Sequence, residues 1–219
     1  MPEFGIEITA FAWVPEVAQG YVKDLRPRWA LEEAGLPYSV RLIGPEENNG
    51  AEYRQWQPFG QVPAYRDREM KIFETGAILL RIAELSENLR AWDEAERGQQ
   101  MAWVTAALNS VEPMVNNTVH PGIFHAGEDW VEGFQPAADR LTAMRLDSLS
   151  GWLDGKDWLT GRFSVADIVM ATVLRALENR PLLTERPVLS AYLKRCLDRP
   201  AFARALDGQL ADFARYEAA

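Results

Sequence analysis

Strand and helix signals alternate through the first 85 or so residues of this chain, and beyond residue 91 every signal is helical. The run "IEITAF" (6–11) alternates apolar and polar residues as a half-buried strand does, and "YSVRLI" (38–43) is a second strand. Between them Leu25, Trp29, Ala30, Leu31 and Ala34 recur at helical spacing, and Gly35 with Pro37 stops the helix. A βαβ unit implies two parallel strands joined by a right-handed crossover. "VPAYRD" (62–67) and "MKIFE" (70–74) flank a short turn and read as an antiparallel hairpin, followed by the helix "TGAILLRIAEL" (75–85). The order is β-α-β-(α)-β-β-α, with at most a short helix in the polar segment after residue 43. An α/β domain over residues 1–86 and an all-helical domain over 91–219 are therefore expected.

The helical half contains "WDEAERGQQMAWVTAALNSVEPMV", a long amphipathic helix open to interruption near Pro113, and "AADRLTAMRLDSLSGWL" (137–153). "SVADIVMATVLRAL" (164–177) is apolar on most faces, the mark of a central bundle helix. "VLSAYLKRCLDR" and "AFARALDGQLADFARY" follow, separated by Pro200. Ser164 and Asp167 match a capping box, with Phe163 and Ile168 placed for a hydrophobic staple, so they read as folding residues.

Composition narrows the function. With 47% hydrophobic and 25% charged residues the chain is in the soluble globular range. A formal charge of -9 argues against nucleic acid or an anionic membrane as partner, so an anionic ligand would need a site built locally against that field. No leader-like segment and no window approaching a membrane span occurs, and a cytoplasmic location is expected. The single cysteine, Cys196, excludes an internal disulfide; it reads as a buried structural thiol. His120 and His125 cannot alone hold a zinc ion, and no metal site is expected.

"PFGQVPAYRDREMKIFETGAILLRIAEL" (58–85) closely resembles the glutathione-binding segment of the soluble glutathione transferases. "WLTGRFSVADIVMATVL" (158–174) is similar to the capping motif of their C-terminal domain, and "RWALEEAGLPYSV" (28–40) to their first helix and second strand. The resemblance implies a thioredoxin-like N-terminal domain followed by an all-α domain. It also implies a homodimer, glutathione as co-substrate, a small hydrophobic electrophile as second substrate, and a role in detoxification.

It further implies a cis bond before Pro63, leaving the Val62 backbone N–H and C=O to bind the cysteinyl part of glutathione. X-Pro is the one bond at which cis costs little. Thr75 would bind the γ-glutamyl carboxylate at a helix N-terminus and Glu74 its amine, with Gln61 and Val62 contacting the rest of the peptide. A plain helix cap is the alternative for Thr75, and both readings hold together, because the cap geometry creates the anion site.

Glutathione reacts as a thiolate, while a free thiol with a pKa of about 8.5 is mostly protonated at neutral pH. Lowering it by about two units takes roughly 2.7 kcal/mol of preference for the anion. A charge-assisted hydrogen bond supplies about 1.5–3 kcal/mol and a helix N-terminus about 0.3–1. Most of the family provides that bond from a Tyr, Ser or Cys at the start of the first helix. An ungapped count from "RW" puts Tyr21 there, with a backbone N–H or Gln19 as alternatives and Trp13 as a wall; domain packing is the other reading of Tyr21.

Pro27 makes the start of that helix ambiguous. It begins after Asp24 as N-cap, or near Tyr21 with a kink where the ring removes a backbone bond. The family's geometry favours the earlier, kinked start. Lys23, Arg26 and Arg28 either offset the ligand's charge or form a solvated helix face. Asn109, Met114, His120 and Phe124 are candidates for the electrophile site, expected between the domains, and Trp103, Trp152 and Trp158 read as packing residues. The implied activity is conjugation of glutathione to small electrophiles. The alternatives are a glutathione-dependent disulfide reductase or peroxidase, and a member that binds glutathione without turnover.

Overall fold

"IEITAF" forms the strand β1 (Ile6–Phe11), in which Ile6, Ile8, Thr9 and Ala10 are all buried. A computed structural model describes residues 5–217. After β1 come α1 (Leu25–Ala34), β2 (Tyr38–Ile43), α2 (Ala51–Arg54), β3 (Ala64–Arg66), β4 (Lys71–Phe73) and α3 (Thr75–Leu85). The helices that follow are α4 (Glu94–Ala106), α5 (Glu112–Phe124), α6 (Asp129–Leu153), α7 (Val165–Arg175), α8 (Pro181–Thr184), α9 (Pro187–Leu197) and α10 (Pro200–Glu217).

The sheet order is β2-β1-β3-β4. β1 and β2 pair in parallel from Ile6 opposite Tyr38 to Phe11 opposite Ile43, while β1–β3 and β3–β4 are antiparallel. This is the thioredoxin-like order expected from the sequence. The hairpin strands are shorter than their apolar runs because the chain bends at Pro63 and Asp67. The Asp67 carboxylate accepts from the Glu69 and Met70 N–H groups at 2.8 and 2.9 Å, closing the turn.

The first helix begins at Leu25, so the earlier, kinked start is not what the chain adopts. Pro27 is the third helical residue, where its missing N–H would have had no intrahelical partner. Asp24 stands at the N-cap position but makes no cap bond. Its carboxylate is committed to Arg28 Nε at 2.8 Å and Gln209 Nε2 at 2.7 Å.

The described chain divides into two compact units, residues 91–198 and the rest. The last helix, α10, packs on α1 in the first unit. Buried Phe202, Ala205, Gln209, Asp212 and Phe213 form its packed face. Arg28 Nη2 donates to Asp212 Oδ2 at 2.7 Å, Arg199 forks onto Glu33 at 2.5 and 2.8 Å, and the Trp29 and Phe202 rings meet edge-on.

In the second unit α7 is the central helix, with Val165, Ala166, Ile168, Val169, Met170 and Ala171 wholly buried. The capping box is formed: Ser164 Oγ accepts from Ala166 N–H and Ser164 N–H donates to Asp167 Oδ2 at 2.9 Å. Asp167 Oδ1 also accepts from Leu159 N–H and the Tyr192 hydroxyl, so one carboxylate ties the preceding loop to α7 and α9. The long helix is interrupted ahead of Pro113 by a π turn over Ala107–Val111. A proline ring clashes with the carbonyl four residues back, and the wider turn makes room. The sixth helix starts earlier than its apolar pattern and carries Pro136 inside.

Removing Arg28 would leave two buried carboxylates side by side. Arg28→Met is expected to cost about 3 kcal/mol in urea denaturation. Burial already pushes the Asp24 carboxyl up, against the pull of Arg28. Without the cation the folded state holds protons more tightly than the unfolded one, so the variant should regain stability as the pH is lowered from about 7 toward 4.

Candidate glutathione site

Ala64 pairs with Phe73, so Pro63 and Glu74 sit one step beyond, at the same end of the β3–β4 hairpin. The β1 register places its carboxyl end beside that point, and α3 starts there at Thr75. Ligand sites in open α/β sheets gather outside the carboxyl ends of strands.

The Val62–Pro63 bond is cis, as expected. Val62 is buried with Ile43, Tyr53, Trp56 and Ala64, whereas Gln61 is exposed. Inside the preceding loop Gln57, 2% exposed, accepts from Phe59 N–H at 2.7 Å and Gln61 N–H at 3.3 Å through Oε1. Gly60 has φ +66°, and a Cβ there would meet the Asn48 carbonyl oxygen at 2.6 Å. Glycine is therefore required at this bend.

Glu74 is exposed and has φ 71° and ψ 122°, a region that residues with a side chain rarely occupy. That backbone turns the chain from β4 directly into α3, so Glu74 holds the cap position and Thr75 is the first helical residue. Thr75 is buried, and its Oγ1 accepts from Arg26 Nη1 at 3.2 Å. Arg26 is only 4% exposed, which removes the solvated-face reading for this residue. A guanidinium and the positive end of a helix thus meet at Thr75, beside the Glu74 carboxylate. Arg28 is buried too, but its partners are Asp24 and Asp212, while Lys23 is exposed.

Tyr21 lies in the turn before α1, 51% exposed, with its backbone N–H donated to the Ala18 carbonyl. The neighbouring Val22 packs against the cluster that contains Val62, together with Phe11. Gln19 Nε2 reaches back to the Val14 carbonyl at 3.5 Å, and Trp13 is half-exposed. The later start of α1 leaves Tyr21 outside that helix, whose first N–H groups donate to the Val22, Lys23 and Asp24 carbonyls.

Among the remaining candidates, Asn109, His120 and Phe124 are exposed in the helical unit and Met114 is half-buried. His120 and Phe124 meet edge-on at 5.4 Å. The Trp103 and Trp152 rings pack at 5.2 Å and Trp158 on Phe163 at 5.1 Å, in keeping with packing roles. Cys196 is fully buried in α9. Among the described residues no group of three or more His, Cys, Asp or Glu could hold a metal ion, and no helix is long and apolar enough to cross a membrane.

The sequence reading missed Thr9, Tyr53 and Gln57, which support the Gln61–Ala64 segment from behind. The alternation of "IEITAF" already accounts for a polar residue at Thr9, so the sequence offers no signal for them.

Residues 20–84 match the family model of the glutathione S-transferase N-terminal domain, and residues 130–200 that of the C-terminal domain. The chain belongs to the glutathione S-transferase family. The disulfide-bond oxidoreductase YfcG of Escherichia coli (strain K12) is 28% identical over 200 residues, 83% of this chain and 89% of that protein. Glutathione S-transferase F9 of Arabidopsis thaliana is 29% identical over 192 residues, covering 78% and 86% respectively. Among solved structures, a glutathione transferase family member from Pseudomonas fluorescens with two glutathione bound matches with a TM-score of 0.81. It is 23% identical, over 94% of this chain and 93% of that one.

Strain at Glu74 makes a separable prediction. Glu74→Gly is expected to raise the unfolding free energy by about 1 kcal/mol, because glycine accepts positive φ without the side-chain penalty. Urea denaturation of the variant beside the parent checks this.

Proposed function

We propose that the protein is a glutathione transferase that holds glutathione along the edge formed by Val62, Glu74 and Thr75. The observation that carries this reading is the Arg26–Thr75 contact at the start of α3, next to the Val62–Pro63 turn. A γ-glutamyl carboxylate suits the α3 N-terminus backed by a guanidinium, and its ammonium suits the exposed Glu74 carboxylate. The Val62 backbone and Gln61 then meet the rest of the peptide. Relatives that carry glutathione in their crystals support the choice of ligand.

Tyr21 is the proposed thiol-stabilising residue. Because α1 begins four residues later, little help comes from its terminus, and the phenol has to supply most of the roughly 2.7 kcal/mol. The thiol loses its proton to solvent, the thiolate sulfur bonds to an electrophilic carbon, and a leaving group departs or a strained ring opens. The electrophile is a small hydrophobic molecule, and family likeness supports a homodimer.

Disulfide reduction is a second reading, favoured by the YfcG relationship. Cys196 is buried in the other unit, so both electrons would come from two glutathione molecules. One thiolate attacks the disulfide to give a mixed disulfide and a released thiolate. The second glutathione attacks the mixed species, leaving oxidised glutathione and a second reduced thiol.

Calorimetry should show glutathione binding by the parent, weakened by more than about tenfold in Arg26→Met, which removes a charged donor. Turnover of a general aromatic halide is expected. Activity on a small disulfide alone would select the second reading, and binding with neither activity would indicate a non-catalytic member. No binding at all overturns the proposal. For Tyr21→Phe the expected change is a higher thiol pKa in the complex, so activity falls much more at pH of about 6.5 than at about 9. An unchanged pH profile would remove Tyr21 from the mechanism.

A further inference from the structure

Thr9 is 0% exposed on the central strand, and Tyr53, from α2, is 1% exposed. A buried hydroxyl is costly unless it is bonded, so the partners of these two groups need explaining. Ala64 N–H donates to Thr9 Oγ1 at 2.7 Å. Thr9 Oγ1 and Tyr53 Oη are 2.8 Å apart. The Tyr53 hydroxyl donates to the Gln61 carbonyl at 2.6 Å.

Proton counting fixes the direction of the middle bond. A carbonyl can only accept, so the single Tyr53 proton goes to Gln61, and the Thr9 hydroxyl must donate to Tyr53. The relay runs one way, from Ala64 N–H through Thr9 and Tyr53 to the Gln61 carbonyl. Burial raises the Tyr53 pKa, which keeps the phenol protonated and able to donate.

Both ends of the relay belong to peptide groups that flank the Val62–Pro63 bond. The Gln61 carbonyl shares its peptide plane with the Val62 N–H, and across a trans peptide the two point in opposite directions. Val62–Pro63 is the cis bond among the described residues, so the Gln61–Val62 peptide is trans. Pulling the Gln61 oxygen inward therefore turns the Val62 N–H outward. By the same geometry the Ala64 N–H, held inward by Thr9, turns the Pro63 carbonyl outward.

We infer that Thr9 and Tyr53 are positioning residues for substrate, a buried hydroxyl relay that aims the Val62 N–H at the cysteinyl part of glutathione. This rests on the function proposed above. Neither hydroxyl touches the ligand, since both are buried behind the segment they orient.

The test is calorimetric glutathione binding by Tyr53→Phe and Thr9→Val, which keep the ring and the side-chain shape and remove the relay. Each should raise Kd about tenfold, the upper range for one neutral hydrogen bond. The double variant should bind no worse than either single one, because both break the same relay, and Thr9→Ser should bind like the parent. The KM for the electrophile should not move. In the parent protein, the Val62 amide resonance should shift on titration with glutathione. Parent-like affinity in folded Tyr53→Phe and Thr9→Val overturns the relay's role while leaving the proposed function intact. An unmoved Val62 amide in a parent that binds glutathione does the same without any variant. A parent that binds no glutathione overturns the proposed function and this role with it.

Discussion

A guanidinium with almost no access to water has to find its counter-charges inside the protein, and Arg28 organises the first unit by that requirement. It joins Asp24, four residues before it, to Asp212 near the far end of the chain, and Gln209 closes the group by donating to Asp24 and to the Val22 carbonyl. The last helix is thereby fixed to α1, and the turn carrying Tyr21 is fixed to both. Nothing about this set favours stability over an apolar equivalent. What it provides is a single register for α10 and a defined path for the turn that leads into the site.

The same economy governs the sheet edge. Backbone groups there are oriented by side chains behind them: Gln57 for the loop before Val62, and Thr9 and Tyr53 for the peptides on each side of Pro63. The positive end of α3 faces the same edge, with Arg26 added to it. On the function proposed above, a strongly acidic protein would hold an anion there through charges that lie within a few ångströms and are poorly screened.

Much of this was legible in the sequence. The period-2 runs at 6–11 and 38–43, and the turn chemistry at Asp67, specify strands that the structure contains. The Ser164–Asp167 spacing specifies a cap, because both halves of that interaction are local. Placement of α10 was not legible: its amphipathic face is visible, but the residue that selects its neighbour, Arg28, lies 184 positions from Asp212. The start of α1 was not legible, because the family's geometry favours the earlier, kinked start, while Pro27 in the first turn costs no hydrogen bond and lets the helix begin at Leu25. The roles of Thr9 and Tyr53 were hidden for a similar reason, since a relay between residues 44 apart leaves no periodic trace.

The two-unit division also has a consequence for how the chain is made. The first unit is interrupted in sequence by the whole helical unit, residues 91–198, and regains its packed face on α1 only with α10. On the ribosome the sheet and α1 emerge early, yet Arg28 meets Asp212 only after more than a hundred further residues have been synthesised. Domains generally fold as units during synthesis. Here the unit whose strands are translated first is completed last, and until then Arg28 has Asp24 within reach but not Asp212.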